Sequence, residues 1–116
     1  MPLLSLTTSA ALPPDRAGLA RQLSALLARE LDKPESYVMV ALGPPPALMT
    51  FGGTTGPACY VELKNVGTLP PERVRQLSAT LCDVLSVALG VPSDRIYIEF
   101  TNADGALWGW NGDTFA

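Results

Sequence analysis

Leucines recur at helical spacing in two stretches of the chain, and short apolar runs of strand length flank both stretches. Within 19–31 and again within 74–88, apolar residues follow one another three or four positions apart. That spacing places them on one helix face. Each stretch therefore predicts an amphipathic helix whose apolar face lies in the core. The two stripes are Leu19, Leu23, Leu26, Leu27 and Leu31, and then Val74, Leu77, Leu81, Val84, Leu85 and Ala88.

Strands are expected before and after each helix. Residues 3–8, 37–42 and 58–66 are rich in apolar and β-branched side chains, and 92–100 repeats the features of 34–40. Such runs, bounded by proline and glycine, are typical of strands. The proline-rich and glycine-rich segments that follow 37–42 read as loops around a short extended piece at Leu48 to Phe51.

The second half of the chain repeats the first. Leu69-Pro70-Pro71-Glu72 echoes Leu12-Pro13-Pro14-Asp15 just before each helix. Each half then reads β-α-β, and such a crossover makes its two strands parallel. We predict one α+β domain over 1–116, with repeats at about 2–57 and 58–116. Its four-stranded mixed sheet would carry two helices on one face.

The other sheet face is expected to be apolar and to be covered by further subunits, because helices of this number cannot cover both faces. Small domains often gain stability by oligomerising. The tail, 106–116, holds two Trp and a Phe without any period. We expect it to form a short ribbon that docks on a neighbouring subunit.

Composition and residue spacing exclude several kinds of partner and of catalytic site. The net charge is -3 and the Lys and Arg residues are scattered, so nucleic acid is not an expected partner. Cys59 and Cys82 match no metal or redox spacing, which favours reduced thiols in a cytoplasmic protein. The chain has no His, which excludes Ser-His and Cys-His nucleophile pairs. No apolar run reaches the length of a membrane span, and no secretory signal is visible.

If the chain is an enzyme, its base must be a carboxylate, a lysine, a tyrosine or the chain's own terminus. An initiator Met before a small residue is usually removed, and Met1 precedes Pro2. The freed proline amine would be a secondary amine leading into a strand. To act as a base near neutral pH its pKa must be depressed, which burial or a nearby cation would do. If Met1 is retained, the Pro2 nitrogen is an amide and cannot act as a base.

Several segments together resemble the macrophage migration inhibitory factor family of the tautomerase superfamily. The resemblance covers the whole chain, and its most specific part is the Gly-Trp-Asn ending in Thr-Phe-Ala. The segments are Met1-Pro2, Lys33-Pro34 with Tyr37, Leu48-Met49-Thr50-Phe51-Gly52-Gly53 with Pro57, Asp94-Arg95-Ile96-Tyr97-Ile98, and Gly109 to Ala116.

The resemblance implies a homotrimer with three sites at subunit borders. It implies an isomerase that catalyses keto–enol tautomerisation of phenylpyruvate and dopachrome derivatives, with Pro2 as general base and with no cofactor or metal. Lys33 would bind the substrate carboxylate, Val66 would offer a backbone amide, and Tyr97 would arrive from the adjacent subunit. The implied aromatic lining is Tyr37, Tyr97, Trp108, Trp110 and Phe115.

Three departures from the family pattern affect this expectation. Glu99 stands where the vertebrate factor has asparagine, and its charge would repel an anionic substrate or raise the pKa of Pro2. Trp108 replaces a small aliphatic residue and should narrow the pocket mouth. Ala58 and Val61 occupy the positions of the vertebrate Cys-x-x-Cys, so its thiol chemistry is not expected here.

Two alternatives remain beside the tautomerase. One is a receptor-binding protein like the vertebrate factor, with a vestigial or weak site, exported without a signal peptide. The other is a different superfamily reaction, such as hydration or decarboxylation. Members with those reactions usually place arginines in the site, whereas the arginines of this chain lie mostly on its predicted helices.

Overall fold

The computed structural model describes residues 2–46 and 48–116, and its first half is a β-α-β unit. Strand β1 is Leu3–Thr8, helix α1 is Arg16–Leu31 and strand β2 is Met39–Leu42. Asp15 caps the helix, since its carboxylate accepts from the Gly18 N–H at 2.8 Å.

Strand β2 begins later than the sequence predicted. Glu35–Tyr37 form a 3₁₀ turn, in which the Tyr37 N–H donates to the Pro34 carbonyl at 3.0 Å. Tyr37 therefore belongs to a turn at the sheet edge, and it lines a cavity there.

A small hairpin that the sequence did not predict follows β2. Strand β3, Thr50–Phe51, pairs antiparallel with β4, Thr54–Thr55. Gly52 and Gly53 lie between them with φ of 59° and 80°. Positive φ at both central residues defines the type I′ turn that suits a two-residue hairpin. The glycine-rich stretch expected to be a loop is therefore partly a β-ribbon.

The second half repeats the β-α-β order. Strand β5 is Cys59–Val66, helix α2 is Pro71–Leu89 and strand β6 is Ile96–Ala103. Gly90 ends α2 in the left-handed region at φ 69°, as the sequence predicted. The tail adds a second hairpin, in which β7, Gly109–Trp110, pairs with β8, Asp113–Thr114.

The main sheet has the strand order β2-β1-β5-β6. Strand β1 is parallel to β2 and β5 is parallel to β6, while the central pair β1 and β5 is antiparallel. This confirms the predicted four-stranded mixed sheet with two helices on one face. Among the described residues, no helix is long and apolar enough to cross a membrane.

The core lies between the helices and one face of this sheet. Both helical stripes contribute leucines that are fully or almost fully buried, and β1 and β5 meet them with alternate residues. The largest of these buried side chains are Leu4, Leu6, Leu23, Leu27, Val61, Leu63, Leu77, Leu81 and Leu85.

The open face of the sheet mixes apolar residues such as Leu3, Met39 and Val66 with polar ones, so the expectation of an apolar face was only partly right. Strand β5 buries Cys59, Val61, Leu63 and Asn65 on the helix side, and its burial alternates residue by residue. Successive strand residues point to opposite faces, so the intervening positions line the open face. Those positions on β1, β5 and β6 include Ser5, Thr7, Tyr60, Glu62, Lys64, Tyr97, Glu99 and Thr101.

Candidate functional site

Pro2 lies at the floor of an aromatic cavity at the end of β1. The cavity has a volume of about 250 Å³, and Pro2 itself is buried. The Pro2 carbonyl accepts from the Met39 N–H at 3.0 Å, which extends the pairing of β1 with β2 and fixes the position of the residue. Met1 lies outside the described residues. The predicted lining residues Tyr37, Trp108 and Phe115 all contribute to this cavity.

Three rings form its outer wall. The Tyr37 and Trp110 rings meet edge to face with centroids 5.2 Å apart, and Tyr37 meets Phe115 at 5.8 Å. Trp110 and Phe115 stack with an interplanar angle of 17°. The tail ribbon therefore packs on Tyr37 of its own chain. The expectation that it also docks on a neighbouring subunit stays a prediction.

The tail is held in place through its backbone. The Phe115 N–H donates to the Gly105 carbonyl at 3.0 Å and to the Trp108 carbonyl at 3.2 Å. A Cβ atom at position 105 would lie 2.4 Å from the Phe115 carbonyl oxygen, so only glycine fits there. Asn111 and Gly112 turn the hairpin with φ of 51° and 78°.

Lys33 is placed by the end of α1. Asp32 adopts the left-handed conformation at φ 51°, and the Lys33 N–H donates back to the Ala28 carbonyl at 3.0 Å, as in a Schellman motif. The Lys33 ammonium donates to the Val66 carbonyl at 3.2 Å. The structure thus brings together two residues that were singled out separately in the sequence.

This pair lies beside the Pro2 cavity. Val66 lines an adjoining hollow of about 390 Å³, which shares Phe115 with the Pro2 cavity. Within the described part of the chain, neither Lys33 nor Val66 lines the Pro2 cavity itself. Phe115 is therefore the side chain that both spaces have in common.

Tyr97 lies elsewhere in the same chain. It lines a second aromatic cavity of about 220 Å³ together with Phe51 and Tyr60, and its ring is 4.7 Å from the Phe51 ring. Tyr97 is 65% exposed. The expectation that Tyr97 reaches Pro2 of an adjacent subunit stays a prediction.

Glu99 has a partner that the sequence analysis did not identify. The Tyr60 hydroxyl donates to the Glu99 carboxylate at 2.5 Å, and this hydrogen bond is the main cause that raises the pKa of Tyr60 to about 12. Both residues project from the open face on neighbouring strands. The alternation in each strand was visible in the sequence, but the register that aligns them was not.

Arg95 makes structural contacts that the sequence analysis did not predict. Its guanidinium donates to the Pro57 carbonyl at 2.8 Å and to the Thr54 hydroxyl at 2.9 Å, and it lies 5.7 Å from the Phe51 ring centroid. These contacts tie the β3–β4 hairpin to the start of β6. They hold the Phe51 side of the second cavity in place.

The thiols show no arrangement suited to catalysis. Burial raises the pKa of Cys59, whose thiol donates to the Thr8 hydroxyl at 3.4 Å, and burial also raises the pKa of Cys82. A raised pKa keeps a thiol protonated and unreactive. Among the described residues, no cluster of three or more Cys, Asp or Glu side chains could hold a metal ion.

Fold and site together define a class of protein: paired β-α-β units in which Pro2, just before the first strand, lies beside an aromatic wall built by Tyr37 and the C-terminal tail. Residues 1–116 match the family described as Macrophage migration inhibitory factor (MIF). The chain belongs to the macrophage migration inhibitory factor family, as its resemblance had indicated.

Individual relatives agree with this assignment. A homologue from Trichinella spiralis is 40% identical over 115 residues, which are 99% of this chain and 100% of the relative. The factor of Rattus norvegicus is 34% identical over the full length of both chains. The crystal structure of a homologue from Prochlorococcus marinus superposes with a TM-score of 0.93, at 43% identity, covering 98% of this chain and 99% of that one.

Proposed function

We propose that this protein is a keto–enol tautomerase of aryl 2-keto acids such as phenylpyruvate, with dopachrome derivatives as further substrates. Pro2, freed by removal of Met1, is its general base. The observation that carries the proposal is the burial of Pro2 at the floor of a cavity walled by aromatic rings.

The position of Pro2 suits proton transfer at carbon. A general base must be held within hydrogen-bond reach of the proton that it removes. Pairing of its carbonyl with the Met39 N–H fixes Pro2 at the sheet edge. Burial disfavours a charged amine, so the surroundings favour the neutral form that can accept a proton. Pro2 takes the proton from the carbon beside the carbonyl and then delivers it to the carbonyl oxygen, which gives the enol. In the reverse direction it takes the enol hydroxyl proton and delivers it to carbon, and no cofactor is required.

The cavity walls suit an aryl substrate. Tyr37, Trp110 and Phe115 offer ring edges and faces, which pack well against a phenyl group. Trp108 lines the same cavity, and its bulk would narrow the mouth. This favours a flat ring over a bulky aliphatic side chain.

Lys33 supports recognition of the carboxylate. An ammonium has three donors, and the Val66 carbonyl takes one of them. Two donors remain for an anion that enters past Phe115, and the Val66 N–H is the backbone donor that the family resemblance implies. Lys33→Met should therefore raise KM for phenylpyruvate more than it lowers kcat.

A homotrimer would complete the site. In one chain, neither Tyr97 nor Glu99 lines the Pro2 cavity. In the proposed trimer, these two residues would join Pro2 across a subunit border. A monomeric mass by light scattering at micromolar concentration would contradict this assembly.

The central test compares the processed protein with Pro2→Gly in phenylpyruvate tautomerisation. Pro2→Gly should reduce kcat/KM by roughly a hundredfold or more, which is the usual contribution of a positioned base. Intact mass, measured on the same samples, reports whether Met1 has been removed. Equal rates for the two processed proteins would refute Pro2 as the base.

Receptor binding is the second candidate, favoured by the full-length match to the Rattus norvegicus factor. Binding of the native protein and of Pro2→Gly to the vertebrate receptor would separate the two functions. Tight binding that does not depend on Pro2, with no tautomerase activity, would favour the receptor ligand.

A further inference from the structure

We propose that Tyr60 is a positioning residue: its hydroxyl holds the Glu99 carboxylate against the open sheet face and engages the negative charge that would otherwise repel an anionic substrate. The proposal rests on the proposed function in one respect, namely that Tyr97 and Glu99 of one subunit border Pro2 of the next. The hydrogen bond itself lies within one chain.

Strand register brings the pair together. Strands β5 and β6 are parallel, and Tyr60 is the partner of Tyr97 while Glu62 is the partner of Glu99. All four side chains project from the open face, because they occupy alternate positions on their strands. The Tyr60 hydroxyl reaches diagonally along β6 and donates to Glu99 at 2.5 Å. Tyr60 and Tyr97 also line the second aromatic cavity, so the residue that donates to Glu99 is itself part of the wall of that cavity.

The charges on this face explain why Glu99 needs a donor. Glu62 and Glu99 are register partners, and like charges at such positions repel each other. Glu62 has the Lys64 ammonium at 3.9 Å. Glu99 has the Tyr60 hydroxyl, which also interacts with Glu62 but less strongly. On the adjacent part of β1, the open face presents Ser5 and Thr7, which carry no charge.

Loss of the hydroxyl should therefore release Glu99. Without its donor the carboxylate would be repelled by Glu62 and would turn away from the strand. In the proposed site the carboxylate would then no longer be engaged by a donor, and its full negative charge would act on the carboxylate of the substrate. Phenylpyruvate binding would weaken, whereas the proton transfer at Pro2 would be affected less.

The first measurement follows phenylpyruvate kinetics in Tyr60→Phe, Glu99→Gln and the double variant. Tyr60→Phe should raise KM roughly three- to tenfold with little change in kcat, as expected for one displaced charge near a partly solvated site. In the Glu99→Gln background the same substitution should leave KM unchanged. An equal rise of KM in both backgrounds would mean that Tyr60 acts through its ring alone, and would overturn the proposal.

The second measurement does not depend on activity. The tyrosine rings are titrated by NMR in the wild type, in Glu99→Gln and in the matched control Glu62→Gln. Glu99→Gln should lower the Tyr60 pKa from about 12 toward the ordinary value, while Glu62→Gln should lower it less, since Glu99 is the larger cause. An unchanged Tyr60 titration in Glu99→Gln would overturn the proposal.

The two proposals fail in different ways. If the wild type and Pro2→Gly tautomerise phenylpyruvate at equal rates, the proposed function fails, and a Kd for phenylpyruvate measured by NMR replaces KM in the comparison of variants. If Pro2 is required but Tyr60→Phe has the same KM as the wild type, the proposed function stands and the positioning role of Tyr60 fails.

Discussion

The two faces of the sheet are built from the same strands and differ in almost everything else. Toward the helices, alternate residues such as Leu4, Val61 and Leu63 are at most 1% exposed. Toward the open side, the intervening residues are Ser5, Glu62 and Lys64, and their polar groups meet one another or solvent. One backbone therefore supports an apolar core and a polar surface at once, because its side chains alternate.

The two faces of the sheet are expected to serve different purposes, since one stabilises the fold and the other belongs to the proposed site. Hydrophobic burial is the main favourable term in folding, and it is concentrated on the helix side. The proposed site instead uses the sheet edge and the open face, where Pro2, Tyr37 and the Tyr60–Glu99 pair lie. Substitutions on the helix side should therefore change the free energy of unfolding, whereas those on the open side should mainly change binding and rate.

The largest effect is expected in the core. Leu81→Ala removes a fully buried side chain on the sheet-facing side of α2 and leaves a cavity. The free energy of unfolding should fall by about 2–5 kcal/mol. Denaturant unfolding at a fixed protein concentration measures this loss.

Val87 offers the matched control on the same helix. It is 89% exposed, so Val87→Ala should change the free energy of unfolding by less than about 0.5 kcal/mol. Similar losses for the two variants would mean that the outer face of α2 is also buried in solution, so that stability would not be concentrated in the core between the helices and the sheet.

The sequence predicted the covered side far better than the open side. Leucine spacing located both helices, since an amphipathic stripe is a local pattern. The open face was predicted to be apolar, although Tyr60, Glu62 and Lys64 alternate with buried residues in the sequence itself. That alternation was outweighed by the expectation that a small apolar chain needs a second covered face.

Contacts between distant segments were beyond the reach of sequence patterns. The family resemblance supplied Pro2 and Lys33 as site residues, and the structure adds the bond from Lys33 to the Val66 carbonyl. The Tyr60–Glu99 bond depends on the pairing of β5 with β6, and no local pattern encodes that register. In the sequence, Arg95 was noted only as part of a segment that resembles the family. Its hydrogen bonds to the β3–β4 hairpin region became visible only in the structure.

A smaller effect is expected where the tail closes the Pro2 cavity. Gly105→Ala would place a Cβ atom 2.4 Å from the Phe115 carbonyl oxygen, so the backbone must shift. We expect a loss of about 1–3 kcal/mol, the usual cost of overpacking, and a higher KM for phenylpyruvate because the ring wall moves. Denaturant unfolding and steady-state kinetics measure the two effects.

Gly109→Ala is the control within the same tail. The nearest atom to its added Cβ is the Asp113 carbonyl oxygen at 3.6 Å, an ordinary contact. If Gly105→Ala and Gly109→Ala have the same stability and KM, the close approach of Gly105 to Phe115 does not shape the cavity.

Arg95→Met tests how the edge of the second cavity is held. The variant loses the hydrogen bonds to the Pro57 carbonyl and the Thr54 hydroxyl, which are largely solvent-exposed. The expected cost is about 1–2 kcal/mol. Amide hydrogen exchange should rise in the β3–β4 hairpin but not in the helices. Arg75→Met, at an exposed position on α2, is the control, and faster exchange throughout the chain in Arg95→Met would contradict a local role.

The smallest effect is expected from an open-face charge. Lys64→Gln removes the ion pair with Glu62, whose groups lie 3.9 Å apart and are 47% and 40% exposed. Exposed pairs contribute little, so the free energy of unfolding should change by less than about 0.5 kcal/mol.

The same substitution should affect substrate binding when Tyr60 is also changed. Without the Lys64 ammonium, Glu62 would repel Glu99 more strongly, and the position of Glu99 would depend more on its hydrogen bond from Tyr60. The double variant Lys64→Gln, Tyr60→Phe should therefore show a higher KM for phenylpyruvate than Tyr60→Phe alone, although its stability in denaturant is nearly the same. A large loss of stability in Lys64→Gln would instead show that this face is buried by a partner surface and that its charges are part of a core.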